Sequence, residues 1–500
     1  MINEGNLEAK VSEQITVDRI KPLTAKIGIY GVGHYNYWPQ FPGLLEEMHK
    51  KMDILADKVR GNGVEVVDFG IGDDAESAYR IVNDIKASGI DMLFIDMVTY
   101  ATSSTIAIIF RELNIPMVTI ALQPLKALDY ENATTFIQLV NDDICSIPEF
   151  NSVAQRLGKP IPDVVIGTLE GDDEADAEIA EFCQIAKVLH DLKKARIGYF
   201  GHPLESMYDM HVDHTAMTAA FGCHVVQTEP DDIMAHYLKV TEDEVDAYKN
   251  RILEFFDTPE PKVDPVTRKL TDVDLYEAAK SAVALEKFIE EKKLDGLAYY
   301  YEGREGTDMR KLVTNLIVGN SLLTAGGFPM CGEADLKTNI AMMIMDRLEI
   351  GGSFAEFHPI DFKEGFVLVG HDGPHHVNIA DGKPVIRSLI KYHGKPGSGA
   401  SVEFKIKEGP ITMLGITSKA DGTFKFVITE GESVVGPVPA TGNTNTRGFF
   451  KPDIKTFLKD WFAEGPTHHY ALGVGKKAHT IKKIADFLGI EAVIVSEKYL

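Results

Sequence analysis

Apolar and polar residues follow two rhythms along this chain of 500 residues. Up to about Gly351, short and nearly continuous apolar runs alternate with stretches in which apolar residues recur every three or four positions. The first pattern belongs to strands buried on both faces, the second to amphipathic helices. Lys26–Tyr30, Val64–Phe69, Asp91–Met97 and Pro116–Leu122 read as strands, with helices over Leu44–Gly61, Ala75–Ala87 and Ser103–Glu112 between them. A second series follows: a helix over Glu170–Lys193, strands at Ala195–Phe200 and Cys223–Gln227, and helices at Thr241–Phe256 and Asp272–Glu291. It ends with an apolar run, Leu297–Tyr301, and a helix over Leu336–Leu348. Past Gly351-Gly352 strict alternation takes over, as in Val402, Phe404, Ile406 and in Phe424, Phe426, Ile428. Lys419-Ala420-Asp421-Gly422-Thr423 supplies a hairpin turn.

Strands alternating with helices of this size predict βαβ units and parallel sheets. The expected fold class is α/β: two Rossmann-like α/β domains, residues 1–164 and 165–350, followed by a β-rich C-terminal domain, residues 351–500. The length exceeds what one core accommodates. An apolar fraction of 44% and a charged fraction of 25% are those of a globular protein. The net charge of -24 opposes a nucleic-acid surface, which needs a basic stripe, and opposes docking on anionic lipid. Cys145, Cys183, Cys223 and Cys331 are widely spaced and form no Cys-x-x-Cys pair, as in proteins of a reducing compartment. The polar lead-in Met1–Lys26 lacks the apolar core of a signal peptide, and no apolar run is long enough to span a bilayer. The expectation is a cytoplasmic protein with no membrane or nucleic-acid partner.

Two carboxylates stand out. Glu302 follows the apolar run Leu297–Tyr301, and Glu333 sits in Met330-Cys331-Gly332-Glu333-Ala334-Asp335-Leu336-Lys337-Thr338. Carboxyl ends of parallel strands are where α/β sheets hold ligands. One helix between the two brings both to the same sheet edge. A single Glu there is more often a cap or an ion-pair partner; two, with histidines downstream, point to a hard divalent cation. The histidines are His358, His371, His375 and His376, and the pair His468-His469 after the turn Gly465-Pro466-Thr467. Val367–Gly370 reads as a strand that delivers His371, with His358 as a competing ligand; the plain reading of His468-His469 is a polar turn. His211 and His214 form a zinc-like fragment with no further ligand nearby. Gly31-Val32-Gly33 lacks the third glycine of a dinucleotide loop. The aromatic loop His34-Tyr35-Asn36-Tyr37-Trp38 suits a sugar, by stacking and hydroxyl hydrogen bonds, or is a surface loop with an apolar anchor.

Tyr301-Glu302-Gly303, Gly332-Glu333-x-Asp335-x-Lys337-Thr338, Gly351-Gly352-Ser353-Phe354, Val369-Gly370-His371 and His468-His469 follow one another as in the L-arabinose isomerase and L-fucose isomerase superfamily, which the chain resembles distantly. The resemblance implies an aldose–ketose isomerase acting on a small sugar through an ene-diol. It implies Mn²⁺, or another divalent cation, on Glu302, Glu333, His371 and His469. Glu302 and Glu333 would be the catalytic carboxylates, with Asp335 and Lys337 behind the ligands and His34, Tyr35, Asn36 and His468 toward the sugar. It also implies a homo-oligomer, trimer or hexamer, in which His34 serves a neighbouring subunit. Departures bear on which sugar: Asp361-Phe362-Lys363 replaces the His-Phe-Glu of L-arabinose isomerases, Gly33 a glutamine and Leu336 a tryptophan. The rival classes are a non-catalytic sugar-binding α/β protein and a nicotinamide-dependent dehydrogenase.

Overall fold

A computed structural model describes residues 16–204, 207–260, 266–392, 395–397, 399–439 and 443–499. Of the polar lead-in Met1–Lys26, residues 1–15 lie outside the described residues. The chain divides into two compact units, Leu23–Asp191, and Met1–Pro22 together with Leu192–Leu500.

The first unit is built on five parallel strands: β1 (Lys26–Val32), β2 (Glu65–Gly72), β3 (Met92–Asp96), β4 (Met117–Gln123) and β5 (Asp163–Thr168). Their order is β2-β1-β3-β4-β5. The boundary expected at residue 164 falls within β5, which pairs with β4 and completes this sheet. β3 is buried throughout, as expected of the central strand of a sheet covered on both faces. The helix Ala75–Ser88 shows how local sequence sets element ends. Asp74 accepts from the Ser77 N–H, Ser77 reciprocates, and Gly89 stops the helix at a φ of 68°. Strand order reverses between β1 and β3, and His34, Tyr35 and Asn36 follow β1 at that edge.

The second unit combines a parallel sheet with a barrel. β6 (Arg196–Phe200), β7 (His224–Thr228), β9 (Gly296–Tyr299) and β10 (Met330–Cys331) form the sheet, in the order β10-β9-β6-β7. The short β8 (Thr267–Arg268) joins β13 (Val385–Leu389) and β16 (Ala400–Glu403) in a separate small sheet, and β14 (Lys391–Tyr392) with β15 (Lys395–Pro396) makes a two-stranded ladder. β11 (Gly351–Asp361), β12 (Phe366–His371), β17 (Gly409–Ser418), β18 (Phe424–Val434), β19 (Thr444–Phe449) and β20 (Tyr470–Val474) are joined β17-β20-β11-β12-β19-β18. The β17–β18 pairing closes them into a six-stranded antiparallel barrel, and β21 (Glu491–Ile494) adds to β18 in parallel. The predicted α/β class with a β-rich C-terminal region is therefore the observed one.

The helix Leu336–Arg347 joins the two parts. Every one of its residues is buried, and it packs against β9 and against β11, β17 and β20 of the barrel. A helix covered on all sides has no solvent face to display. Its amino end meets the carboxyl edge of the parallel sheet, where the candidate site lies. No helix among the described residues is long and apolar enough to cross a membrane.

Candidate active site

β9 and β10 run side by side, with Leu297 opposite Met330 and Ala298 opposite Cys331, so the segments that follow them leave from one edge. After β10 the backbone turns through two non-glycine residues in the left-handed region, Glu333 at φ 61° and Ala334 at φ 57°. Such positions cost about 1–3 kcal/mol each and persist where the surroundings impose them. Here the Ala334 N–H donates to the Tyr299 carbonyl at 2.9 Å. Asp335 then caps the buried helix, accepting from the Lys337 N–H (3.1 Å), the Thr338 N–H (3.2 Å) and the Thr338 hydroxyl (2.8 Å). The Gly-Glu-x-Asp-x-Lys-Thr motif is thus a strained turn and a cap that present one carboxylate and bury another.

The barrel supplies the facing wall from three adjacent strands. Ala355 pairs with Tyr470, which sets Glu356 across from His469, and Glu356 also pairs with Gly370, next to His371. Ligand atoms of Glu356, His371 and His469 all lie within 4.8 Å of one another, as do those of Glu333, His468 and His469. His469, common to both groups, places Nε2 3.4 Å from Glu333 Oε2 and Nδ1 3.4 Å from Asp335 Oδ2. His371 Nδ1 donates to the Asp372 carbonyl at 2.7 Å, which leaves the Nε2 lone pair available. His375 Nε2 in turn donates to the His371 carbonyl, and its Nδ1 accepts from Ser353 Oγ, both at 2.8 Å. The Phe354 ring packs 4.7 Å from His371 and 4.2 Å from His469, centroid to centroid. Gly352, at φ 123°, is required here because a Cβ would lie 2.6 Å from the Met342 carbonyl.

Burial raises the Glu333 carboxyl above its ordinary value, against the pull of His469 and His468. Burial also acts to raise Asp335, but the Lys337 charge and the His469 hydrogen bond outweigh it and hold this carboxyl well below the carboxylate range. Burial pushes His371 down to about 3. Glu333 Oε2 is buried without a hydrogen-bond partner. The orphaned Glu333 oxygen and the Glu356, His371 and His469 donors are of the kind that hold a divalent cation, and His469 is shared by the two groups whose ligand atoms come within reach of one another.

Glu302 lines the same cavity as Glu333, with Tyr301, Arg310, Phe354 and His371, in a space of about 640 Å³ counted to its open mouth. Expected as a cation ligand, Glu302 stands outside both groups. Tyr300 donates its hydroxyl to Oε2 at 3.1 Å, and Arg310 of the helix Asp308–Thr314 donates to Oε1 at 3.3 Å. Glu356, which the sequence reading passed over, occupies the carboxylate position beside His371 and His469. Its signal is the alternation Phe354, Glu356, His358 on β11, which turns an acid and a histidine to one strand face.

Between the competing histidines, His371 joins a ligand group and His358 does not: His358 Nδ1 donates to Asn445 Oδ1 at 2.7 Å and Nε2 to Glu356 Oε1 at 3.2 Å. His468 donates twice to Asp209 Oδ2, from its backbone N–H (3.0 Å) and from Nδ1 (2.6 Å). Lys337 is fully buried with Nζ 3.9 Å from Asp335 Oδ1. His34, Tyr35 and Asn36 belong to the first unit, where Asn36 Nδ2 donates to His34 Nε2 at 3.3 Å and the His34 ring meets Tyr35 edge-on. His211 and His214 belong to no ligand group among the described residues.

Comparisons with known proteins follow the same division of the chain. The family profile "L-arabinose isomerase central domain" matches residues 197–351, and "L-fucose isomerase, C-terminal domain" matches residues 384–496. The chain is 24% identical over 389 residues to an L-arabinose isomerase of Nocardioides sp., covering 76% of this chain and 75% of that protein. It is 25% identical over 360 residues to an L-arabinose isomerase of Acidothermus cellulolyticus, covering 70% and 69%. The L-arabinose isomerase of Bacillus subtilis is 23% identical over 363 residues, again with 70% and 69% covered.

Proposed function

We infer, from the premise that this chain is a distant member of the L-arabinose isomerase and L-fucose isomerase superfamily and so a sugar aldose–ketose isomerase, that it works on an open-chain monosaccharide of the L-arabinose or L-fucose kind with a divalent cation held by Glu333, Glu356, His371 and His469. The observation that carries this reading is the orphaned Oε2 of Glu333 beside His469. Mn²⁺ is the first candidate, since imidazole and carboxylate together suit it. Bound there, the cation supplies Lewis-acid polarisation of the sugar carbonyl and offsets the charge of the carboxylates.

The protein's own groups manage protons and position. Glu333 takes the proton from C2. The C2–H electron pair becomes the C1=C2 bond of an ene-diol, and O1 gains a proton. O2–H then loses its proton to re-form a carbonyl at C2, and Glu333 returns a proton to C1. Glu302, held across the cavity by Tyr300 and Arg310, accepts sugar hydroxyls and relays protons between O1 and O2. Asp335 fixes the His469 ring through Nδ1, with Lys337 behind it. Phe354 keeps water from the imidazole pair. His468, held by Asp209, is assigned to the sugar on this reading. By the same reading the protein is a cytoplasmic homo-oligomer, a trimer or hexamer, in which His34, Tyr35 and Asn36 of one subunit reach the sugar in another.

The test is a panel of aldoses presented to metal-stripped protein, with and without added Mn²⁺, and ketose formation as the readout. Ketose from at least one L-aldose only when Mn²⁺ is present is the expected result. Full turnover in excess chelator, or none with any aldose, overturns the reading.

A further inference from the structure

Glu356 sits within strand β11, with no turn or cap of its own to fix its side chain, and yet it is held. Two positions farther along β11, His358 turns to the same face and donates Nε2 to Glu356 Oε1 at 3.2 Å. The other nitrogen of that ring, Nδ1, donates to Asn445 Oδ1 at 2.7 Å. Asn445 lies on β19, two strands away, and reaches His358 across β12. It can do so because the intervening residue is Gly370, paired with Glu356 on one side and with Asn445 on the other. A Cβ at Gly370 would collide with the Thr444 carbonyl and lie 2.7 Å from Asn445 Oδ1. Glycine therefore opens the lane in which the asparagine side chain lies.

We propose that His358 is a positioning residue: anchored by Asn445 across the glycine gap, it pins one oxygen of Glu356 and leaves the other for the cation. The inference rests on the cation reading given above. An unpinned glutamate on a strand has three side-chain torsions to fix on binding, and ligands without such partners bind metal about 10–100-fold more weakly. His358 thereby acts through Glu356 and touches neither sugar nor cation. His375 plays the corresponding part for the backbone at His371, so two of the three barrel-borne ligands, Glu356 and His371, are braced by a histidine that is not itself a ligand.

The experiment is a Mn²⁺ titration of the metal-stripped full chain by calorimetry, with thermal unfolding of the same metal-free samples. The variants are His358→Phe, which keeps a ring and loses both donors, and His358→Gln, which retains a donor. The expected result is a Kd roughly 10–100-fold weaker for His358→Phe, restoration to near the wild-type value by His358→Gln, and metal-free unfolding midpoints close to wild type for both. Wild-type affinity in a folded His358→Phe protein, or no rescue by His358→Gln, overturns the inference while leaving the cation site standing. Absence of Mn²⁺ uptake by the wild type overturns the cation reading itself. If His358→Phe does not fold, Asn445→Ala serves instead, with weaker Mn²⁺ binding expected and wild-type binding overturning the proposal.

Discussion

Glu356 on β11 stands across from His469, one register step beyond the Ala355–Tyr470 pair. Their spacing is therefore set by a hydrogen-bond ladder, and Glu302, at the end of a parallel strand, has no place in that ladder. The two carboxylates should part company in a metal titration. Glu356→Gln is expected to lose Mn²⁺ affinity by at least the 10–100-fold that removal of a supporting partner causes, while Glu302→Gln binds Mn²⁺ as the wild type does and loses turnover. Equal loss of binding in both variants would return Glu302 to the ligand set.

Glu333→Gln should lower kcat by about 10²–10⁴-fold, the range for loss of a positioned acid–base group. Far-ultraviolet circular dichroism should be unchanged, since the carboxylate makes no hydrogen bond through Oε2. Steady-state ketose production with saturating sugar decides it, and a kcat near wild type would remove Glu333 from the proton path.

Asp335 has a structural burden as well as a chemical one. It caps the helix Leu336–Arg347 and faces the fully buried Lys337. Asp335→Ala leaves that ammonium without its counter-charge, so a loss of about 3–5 kcal/mol in urea-unfolding free energy is expected. Asp335→Asn, which keeps an acceptor for the cap, should lose less. Equal losses in the two variants would show the cap to be unimportant, and wild-type stability in both would show the same of the charge.

A pH effect is expected in the first unit. Burial lifts Asp96 from 3.8 to about 7, against the pull of Lys51, which pairs with Asp143. The folded state then keeps a proton that the unfolded chain has already released, so stability falls as pH rises through that window. Asp96→Asn should flatten the slope of unfolding free energy between the two ends of the window. An unchanged slope would mean that Asp96 is ionised in the fold.

The periodicity of apolar residues was enough to place the α/β part, because buried parallel strands and amphipathic helices leave different spacings. Glu333 and Asp335 were legible for a similar reason: a strand, a turn and a cap are consecutive in the chain. Glu356 was not. It lies inside an alternating strand of a barrel, flanked by Ala355 and Phe357, and its meaning depends on a register with His469 that only closure of the ladder fixes. Glu302 was singled out for a strand-end position that is a general ligand location; its engagement by Arg310 was not legible, because Arg310 arrives from a helix whose rotation the sequence does not specify. His358 and His371 could not be separated by spacing alone; Asn445, far along the chain, distinguishes them.

Three of the four proposed donors hang from neighbouring strands of one closed barrel, whereas Tyr301, Glu302 and Arg310 on the sugar side come from a loop and a short helix of the other layer. On the proposed reading, the grip on the ion and the taste for a particular sugar are written in separable stretches of the gene. Changes in the loop-and-helix wall can retune which hydroxyl stereochemistry is accepted without loosening the ion, so descendants of this scaffold can change diet while keeping the same reaction.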